Sequence, residues 1–224
     1  GSYVPGQFFW GVIGVGAVWS VAAPEFGEST ILDRFSQIKP KMLFVADGYR
    51  FGGKDFDRRD AVRTIVGELQ DSLEQVVYLP YLRPEERRPC VEALLWDTLM
   101  AGDDPGADNF RFERVACDHP MWVLFSSGTT GLPKAIVHGH VGVLMELLKV
   151  HNFHINLKPG DVGFFYTTAG WMMFNYVVSM LLTGTTGVLY DGNPAYPTPD
   201  VLWKMAAETG TTSFGASPTY VQAM

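Results

Sequence analysis

Short apolar runs alternate with stretches of helical period along this chain, and that alternation limits its fold more than any other feature. KMLFVAD (41–47), EQVVYLPYL (74–82), MWVLFSS (121–127), GDVGFFYTT (160–168), TTGVLYDG (185–192) and TTSFGAS (211–217) have the length and β-branched or aromatic content of buried strands. Between them, RRDAVRTIVGELQ (58–70) sets Val62, Ile65, Val66 and Leu69 on one helical face. LDRFSQIKP (32–40) reads as a short helix stopped by Pro40, and WMMFNYVVSMLL (171–182) as a buried helix capped by Gly184. PDVLWKMAAETG (199–210) has a proline at its start and Gly210 at its end, as helices do. FFWGVIGVGAVWSVAA (8–23) is expected to form a buried helix over 8–19 and a short strand over 20–23. Strands separated by helices at this spacing predict an α/β fold, a mostly parallel β-sheet flanked by helices.

Residues 126–134, SSGTTGLPK, follow directly on one of the predicted strands. Gly128 and Gly131 permit backbone angles that aim successive amides at one point. Ser126, Ser127, Thr129 and Thr130 add hydroxyl donors, Lys134 adds a positive charge, and Pro133 stiffens the approach to it. These are the groups that surround a phosphate. The spacing is not that of the common phosphate loop, because no Gly-Lys-Ser/Thr follows the first glycine. A glycine–threonine surface loop between two strands would need fewer of these features at once.

SSGTTGLPK resembles the signature loop of the adenylate-forming superfamily of acyl-CoA synthetases. The likeness continues through IGVGAVWSVAAPEFG, LDRFSQIKPKMLFVADGYRFGGK, YTTAGWMMFN and LYDGNPAYPTPDVLW, and these segments are most similar to the branch of the superfamily that acts on acetoacetate. The resemblance implies an AMP-forming acid–thiol ligase. A carboxylate attacks the α-phosphorus of ATP to give acyl-AMP and diphosphate, and the CoA thiol then displaces AMP. ATP, Mg²⁺ and CoA are the implied cofactors and co-substrates. Ser126, Ser127, Gly128, Thr129, Thr130, Gly131 and Lys134 would hold the phosphates.

Gly170 and Trp171 match a Gly-Trp pair that introduces the acyl-pocket helix of acetyl-CoA synthetases, which makes Met172 and Met173 pocket-wall candidates. Two positions before the glycine those enzymes carry an acidic residue; here it is Thr168, which argues against acetate. Without the family, an aromatic–methionine helix reads equally as core. In GYRFGGK (48–54), Arg50 matches one arginine of a CoA-phosphate turn and Lys54 falls one position from another; a solvated basic turn is the alternative. The resemblance further implies that residues 1–224 are one incomplete N-terminal domain, binding ATP and acyl group, with a division expected near 116 into 1–116 and 117–224. A Tyr-Gly-x-Thr-Glu motif whose glutamate helps bind Mg²⁺, and a small C-terminal domain with its lysine, are expected in a missing remainder of the same polypeptide. No catalytic residue is assigned to this segment, and it is not expected to complete the reaction alone. A segment of an acetyl- or other short-chain acyl-CoA synthetase, or a non-catalytic module keeping the nucleotide-loop fold, are the alternatives.

Of the 224 residues 47% are hydrophobic, enough for a sizeable core, and the net charge of -7 argues against nucleic acid as a partner. The run at 8–23 has no lysine or arginine before it and holds three glycines, so neither a signal peptide nor a membrane partner is expected. Two cysteines, Cys90 and Cys117, form no metal or redox pattern, and reduced thiols in the cytoplasm are expected. His138 and His140 are expected on a strand, pointing the same way, and His151 and His154 at i, i+3 on a helix end. No carboxylate stands at ligand spacing to them, so no metal site is expected, and all four read as surface residues or as supports behind a site.

Overall fold

The computed structural model describes residues 3–86, 88–102, 106, 108–126 and 131–224, with side chains in the first helix described from Phe9 onward. In chain order the main elements are α1 (Tyr3–Gly14), α2 (Glu28–Ile38), β1 (Met42–Ala46), β2 (Gly48–Phe51), β3 (Lys54–Asp57), α3 (Arg59–Leu69) and β4 (Gln75–Leu79). They continue with β5 (Leu94–Leu95), α4 (Trp96–Met100), β6 (Pro120–Phe125), β7 (Ala135–Gly139) and α5 (His140–Lys149). The last are β8 (Val162–Phe165), α6 (Met172–Ser179), β9 (Thr186–Val188), α7 (Val201–Thr209), β10 (Ser213–Gly215) and α8 (Pro218–Gln222). The chain divides into two compact units that are discontinuous in sequence: a larger one of 1–21, 112–124 and 137–224, and a smaller one of 22–111 and 125–136.

In the smaller unit β1, β4 and β5 form a sheet in that order, and both pairings are parallel. α2 and α3 cover it. Their apolar stripes bring Ile31 and Phe35 together with Ile65 and Leu69 over Leu43 of β1, each of them buried. The crossover from β1 to β4 runs through a feature absent from the expected order, a β2–β3 antiparallel hairpin turned by Gly52 and Gly53 at φ 58° and 75°. Asp47, at the end of β1, is fully buried and holds the chain leaving β4. Its carboxylate accepts from the backbone N–H groups of Tyr81 and Leu82 at 2.8 Å each and of Arg83 at 3.0 Å. Gly48 beside it must be glycine, since a Cβ there would lie 2.3 Å from the Phe56 carbonyl oxygen.

In the larger unit β10, β8 and β9 form a second all-parallel sheet, with β8 in the centre. α6 packs on it and contributes Phe174 and Val178 to a core of Phe9, Ile13, Trp19, Met121, Trp122 and Leu147. The helix expected over 8–19 ends at Gly14, followed by Gly16 at φ 75°. The strand expected over 20–23 does not form. Trp19 alone bridges to Trp122, and the chain leaves this unit after Val21. α5 runs on as a π-helical turn, Val150–His154, marked by the Ile155 N–H donating to the Val150 carbonyl at 3.0 Å. The predicted class, α/β with parallel sheets and flanking helices, is the one observed. No helix among the described residues is long and apolar enough to cross a membrane.

Candidate functional site

The loop after β6 belongs to the smaller unit, where Ser126 and Lys134 close its neck. The Ser126 N–H donates to the Lys134 carbonyl at 3.1 Å, and the Lys134 N–H donates back to Ser126 Oγ at 3.0 Å. Pro133 is held from the side, its carbonyl accepting from Gln37 Nε2 of α2 at 2.8 Å. Behind the neck the Arg34 guanidinium stands 5.8 Å from the Phe125 ring, a cation–π contact that fixes the end of β6. Gly131 and the Lys134 side chain are exposed, and Ser126 is half-buried. Among the described residues no carboxylate pairs with the Lys134 ammonium, so its charge faces solvent. Ser127, Gly128, Thr129 and Thr130 lie outside the described residues. The described part is a pinned frame with a cation at one foot, an arrangement that can receive an anion.

The β2–β3 hairpin carries the basic pair. Arg50 lies opposite Asp55 and Lys54 opposite Phe51, with Arg50 Nε donating to Asp55 Oδ1 at 2.8 Å. Successive residues of a strand alternate faces, so Arg50 and Lys54 point to opposite sides of the hairpin and do not converge on one phosphate. At its base Asp57 accepts from the Arg59 guanidinium and backbone N–H and from Arg83, and these hold its carboxyl at about 2, well below the usual carboxylate range.

In the larger unit the turn Thr168–Trp171 leads into α6. The Trp171 N–H donates to the Thr168 carbonyl at 3.3 Å, and Trp171 takes the extended N-cap position with φ -112° and ψ 153°. Trp171 and Met172 are 56% and 52% exposed, Gly170 and Met173 are half-buried, and Asn175 is 1% exposed. The start of the helix is thus an open apolar rim with a buried floor. The floor is polar in part. Neither amide atom of Asn175 has a hydrogen-bond partner among the described residues, and Thr168 Oγ1 is likewise buried and unpartnered. One turn after Asn175, buried Ser179 Oγ lies 2.7 Å from His151 Nε2 and donates to the Tyr176 carbonyl at 2.7 Å. The single hydroxyl proton is used there, so His151 Nε2 carries a proton and donates to Ser179. Burial pushes the His151 pKa down, which keeps the ring neutral.

Sequence reasoning singled out neither Asn175 nor the buried setting of His151. A lone amide in the run WMMFNYVVSMLL was a signal for Asn175. His151, read as a surface or supporting residue, is fully buried: it lies four residues after buried Leu147, on the same helix face. His138 and His140 do not share a strand: His138 ends up on β7, its Nδ1 accepting from Trp122 Nε1 at 2.7 Å, while His140 begins α5. Burial, together with nearby His119, lowers the His140 pKa.

A family model described as AMP-binding enzyme matches residues 8–224. The chain belongs to the AMP-binding enzyme family. Within that AMP-binding family it is 40% identical over 214 residues to acetoacetyl-CoA synthetase of Mus musculus, which covers 94% of this chain and 32% of that protein. It is 42% identical over 212 residues to acetoacetyl-coenzyme A synthetase of Rhizobium meliloti, again 94% of this chain and 32% of the relative. The solved structure of acetoacetyl-CoA synthetase from Streptomyces lividans matches with a TM-score of 0.91 at 48% identity, over 99% of this chain and 33% of that one. The chain therefore spans about a third of the length of these relatives.

Proposed function

We propose that this segment supplies the phosphate loop and the acyl-pocket helix of an ATP-dependent ligase that joins acetoacetate to CoA through an acyl-adenylate. The observation that carries the reading is the match to acetoacetyl-CoA synthetase at 48% identity along 99% of this chain, with the loop neck and the helix start both inside it.

In the first step a carboxylate oxygen bonds to the α-phosphorus and diphosphate leaves. Ser126, Ser127, Gly128, Thr129, Thr130, Gly131 and Lys134 are assigned to hold the departing phosphates. The described geometry supports this with the pinned neck and the unpaired Lys134 ammonium, which can meet developing negative charge without first breaking an ion pair. Gly170, Trp171, Met172 and Met173 are assigned to the acid, and the half-exposed apolar rim suits a short carbon chain. In the second step the CoA thiol attacks the acyl carbon and AMP leaves. Arg50 is assigned to CoA phosphate, and the hairpin leaves Lys54 free only for a different anion. Among the described residues no group of three His, Cys, Asp or Glu side chains could hold a metal ion.

The test is acid-dependent ATP–diphosphate exchange and CoA-thioester formation in the full-length polypeptide containing this segment, with acetoacetate, acetate and butyrate compared by kcat/KM. Acetoacetate is expected to be preferred. Preference for acetate or butyrate, or exchange independent of any acid, overturns the reading.

A further inference from the structure

The unpartnered amide of Asn175 has a use that the apolar rim cannot supply. Asn175 is one turn along α6 from both Trp171 (i, i+4) and Met172 (i, i+3), so the three share a face. It lies about 4.5 Å further along the helix axis than Met172, roughly the reach of a four-carbon acid. The exposure falls along that face from 56% and 52% at Trp171 and Met172 to 1% at Asn175. Phe174 and Val178, on the side of the helix next to Asn175, are committed to the hydrocarbon core. An amide buried with both atoms unsatisfied is costly, and an apolar side chain would sit there without that penalty. Thr168 Oγ1, at the other end of the turn, repeats the pattern.

We propose that Asn175 is a specificity-determining residue whose Nδ2–H donates to the 3-keto oxygen of a β-keto acid, so that the site selects acids with a carbonyl two carbons from the carboxylate. The inference rests on the acyl-pocket reading given above. The keto oxygen accepts hydrogen bonds and donates none, which suits an orphaned amide donor. A site built to hydrogen-bond such a group discriminates strongly against an analogue that lacks it, because the buried donor is then left unpaired.

The experiment compares kcat/KM for acetoacetate and for butyrate, which has a methylene in place of the keto carbonyl. It uses the full-length polypeptide, its Asn175→Leu variant and its Asn175→Ala variant. Loss of the amide is expected to lower the acetoacetate-to-butyrate kcat/KM ratio roughly tenfold or more. Asn175→Ala reads the same ratio should Asn175→Leu fail to fold. A ratio unchanged from the parent, or equal losses on both acids, means that Asn175 serves packing or a buried water and overturns the proposal while leaving the acetoacetate assignment intact. A parent enzyme that prefers butyrate removes both.

Discussion

Ser126 and Lys134 hold each other through two backbone-centred hydrogen bonds, 3.1 and 3.0 Å, one running in each direction across the base of the glycine-rich loop. Only one of the two uses a side chain. Ser126→Ala removes that one and leaves its fellow, so it is expected to weaken the neck by about 1 kcal/mol. Lys134→Ala keeps both bonds and removes the charge. In the full-length polypeptide it is expected to lower kcat/KM for ATP about ten- to hundredfold, a charged hydrogen bond being worth roughly 1.5–3 kcal/mol, and to do so without changing the thermal midpoint. ATP titration of the exchange rate in both variants measures the difference; an unchanged kcat/KM for ATP removes Lys134 from the phosphate site.

Met172 and Met173 stand at the mouth of α6, one half-exposed and one half-buried. Shortening either to alanine is expected to shift preference toward longer acids, by about 1–3 kcal/mol per methylene accommodated. A series of straight-chain acids measures it. A chain-length profile identical to the parent's would make both methionines ordinary packing.

Asp47 ties the end of β1 to the chain leaving β4. Asp47→Ala strands three backbone N–H groups that its carboxylate now satisfies. A loss of about 3 kcal/mol or more in unfolding free energy is expected, read by urea titration. Asp47→Asn, which keeps acceptor capacity on one oxygen, is expected to lose less.

Stability is also expected to fall as pH drops below 6.5, the ordinary histidine value. Burial holds the pKa values of His151 and His140 below that figure in the folded chain. The unfolded chain therefore takes up protons first, so stability is complete above 6.5 and declines toward the folded pKa values. Thermal midpoints between about pH 7.5 and pH 5.5 measure the slope, and His151→Gln is expected to flatten it. An equal slope in that variant assigns the effect elsewhere.

The parts of the fold that were legible in the sequence are those decided by local pattern. Val62, Ile65 and Leu69 recur at helical spacing and are buried along α3, and Gly184 and Gly210 take left-handed angles where helices end. The parts that were not legible depend on partners distant in sequence. Tyr49, Phe51 and Phe56 share one face of the β2–β3 hairpin, yet GYRF and KDFD are mostly exposed, so no buried-strand run marks it in the sequence. Asp47 reads as a turn signal until residues 81–83 are brought to it from 34–36 positions away. Of the candidate site, the loop and the Gly-Trp turn were visible as motifs. Asn175 was not, since only burial distinguishes a solvated amide from a stranded one.

The π-turn at Val150–His154 has a consequence for chain length. Its ring from the Val150 carbonyl to the Ile155 N–H encloses one residue more than an α-helical ring does. Deleting one residue there would let the α-helical ladder run on unbroken, and it would also turn one side of the segment by about 100° relative to the other. His151 and the Leu157 N–H that its carbonyl accepts would then lose their register. Asn152 and Phe153 are exposed, Phe153 by 83%, so their side chains bear little on this. What matters at Asn152 and Phe153 is the number of residues, so these two positions tolerate substitution and resist deletion.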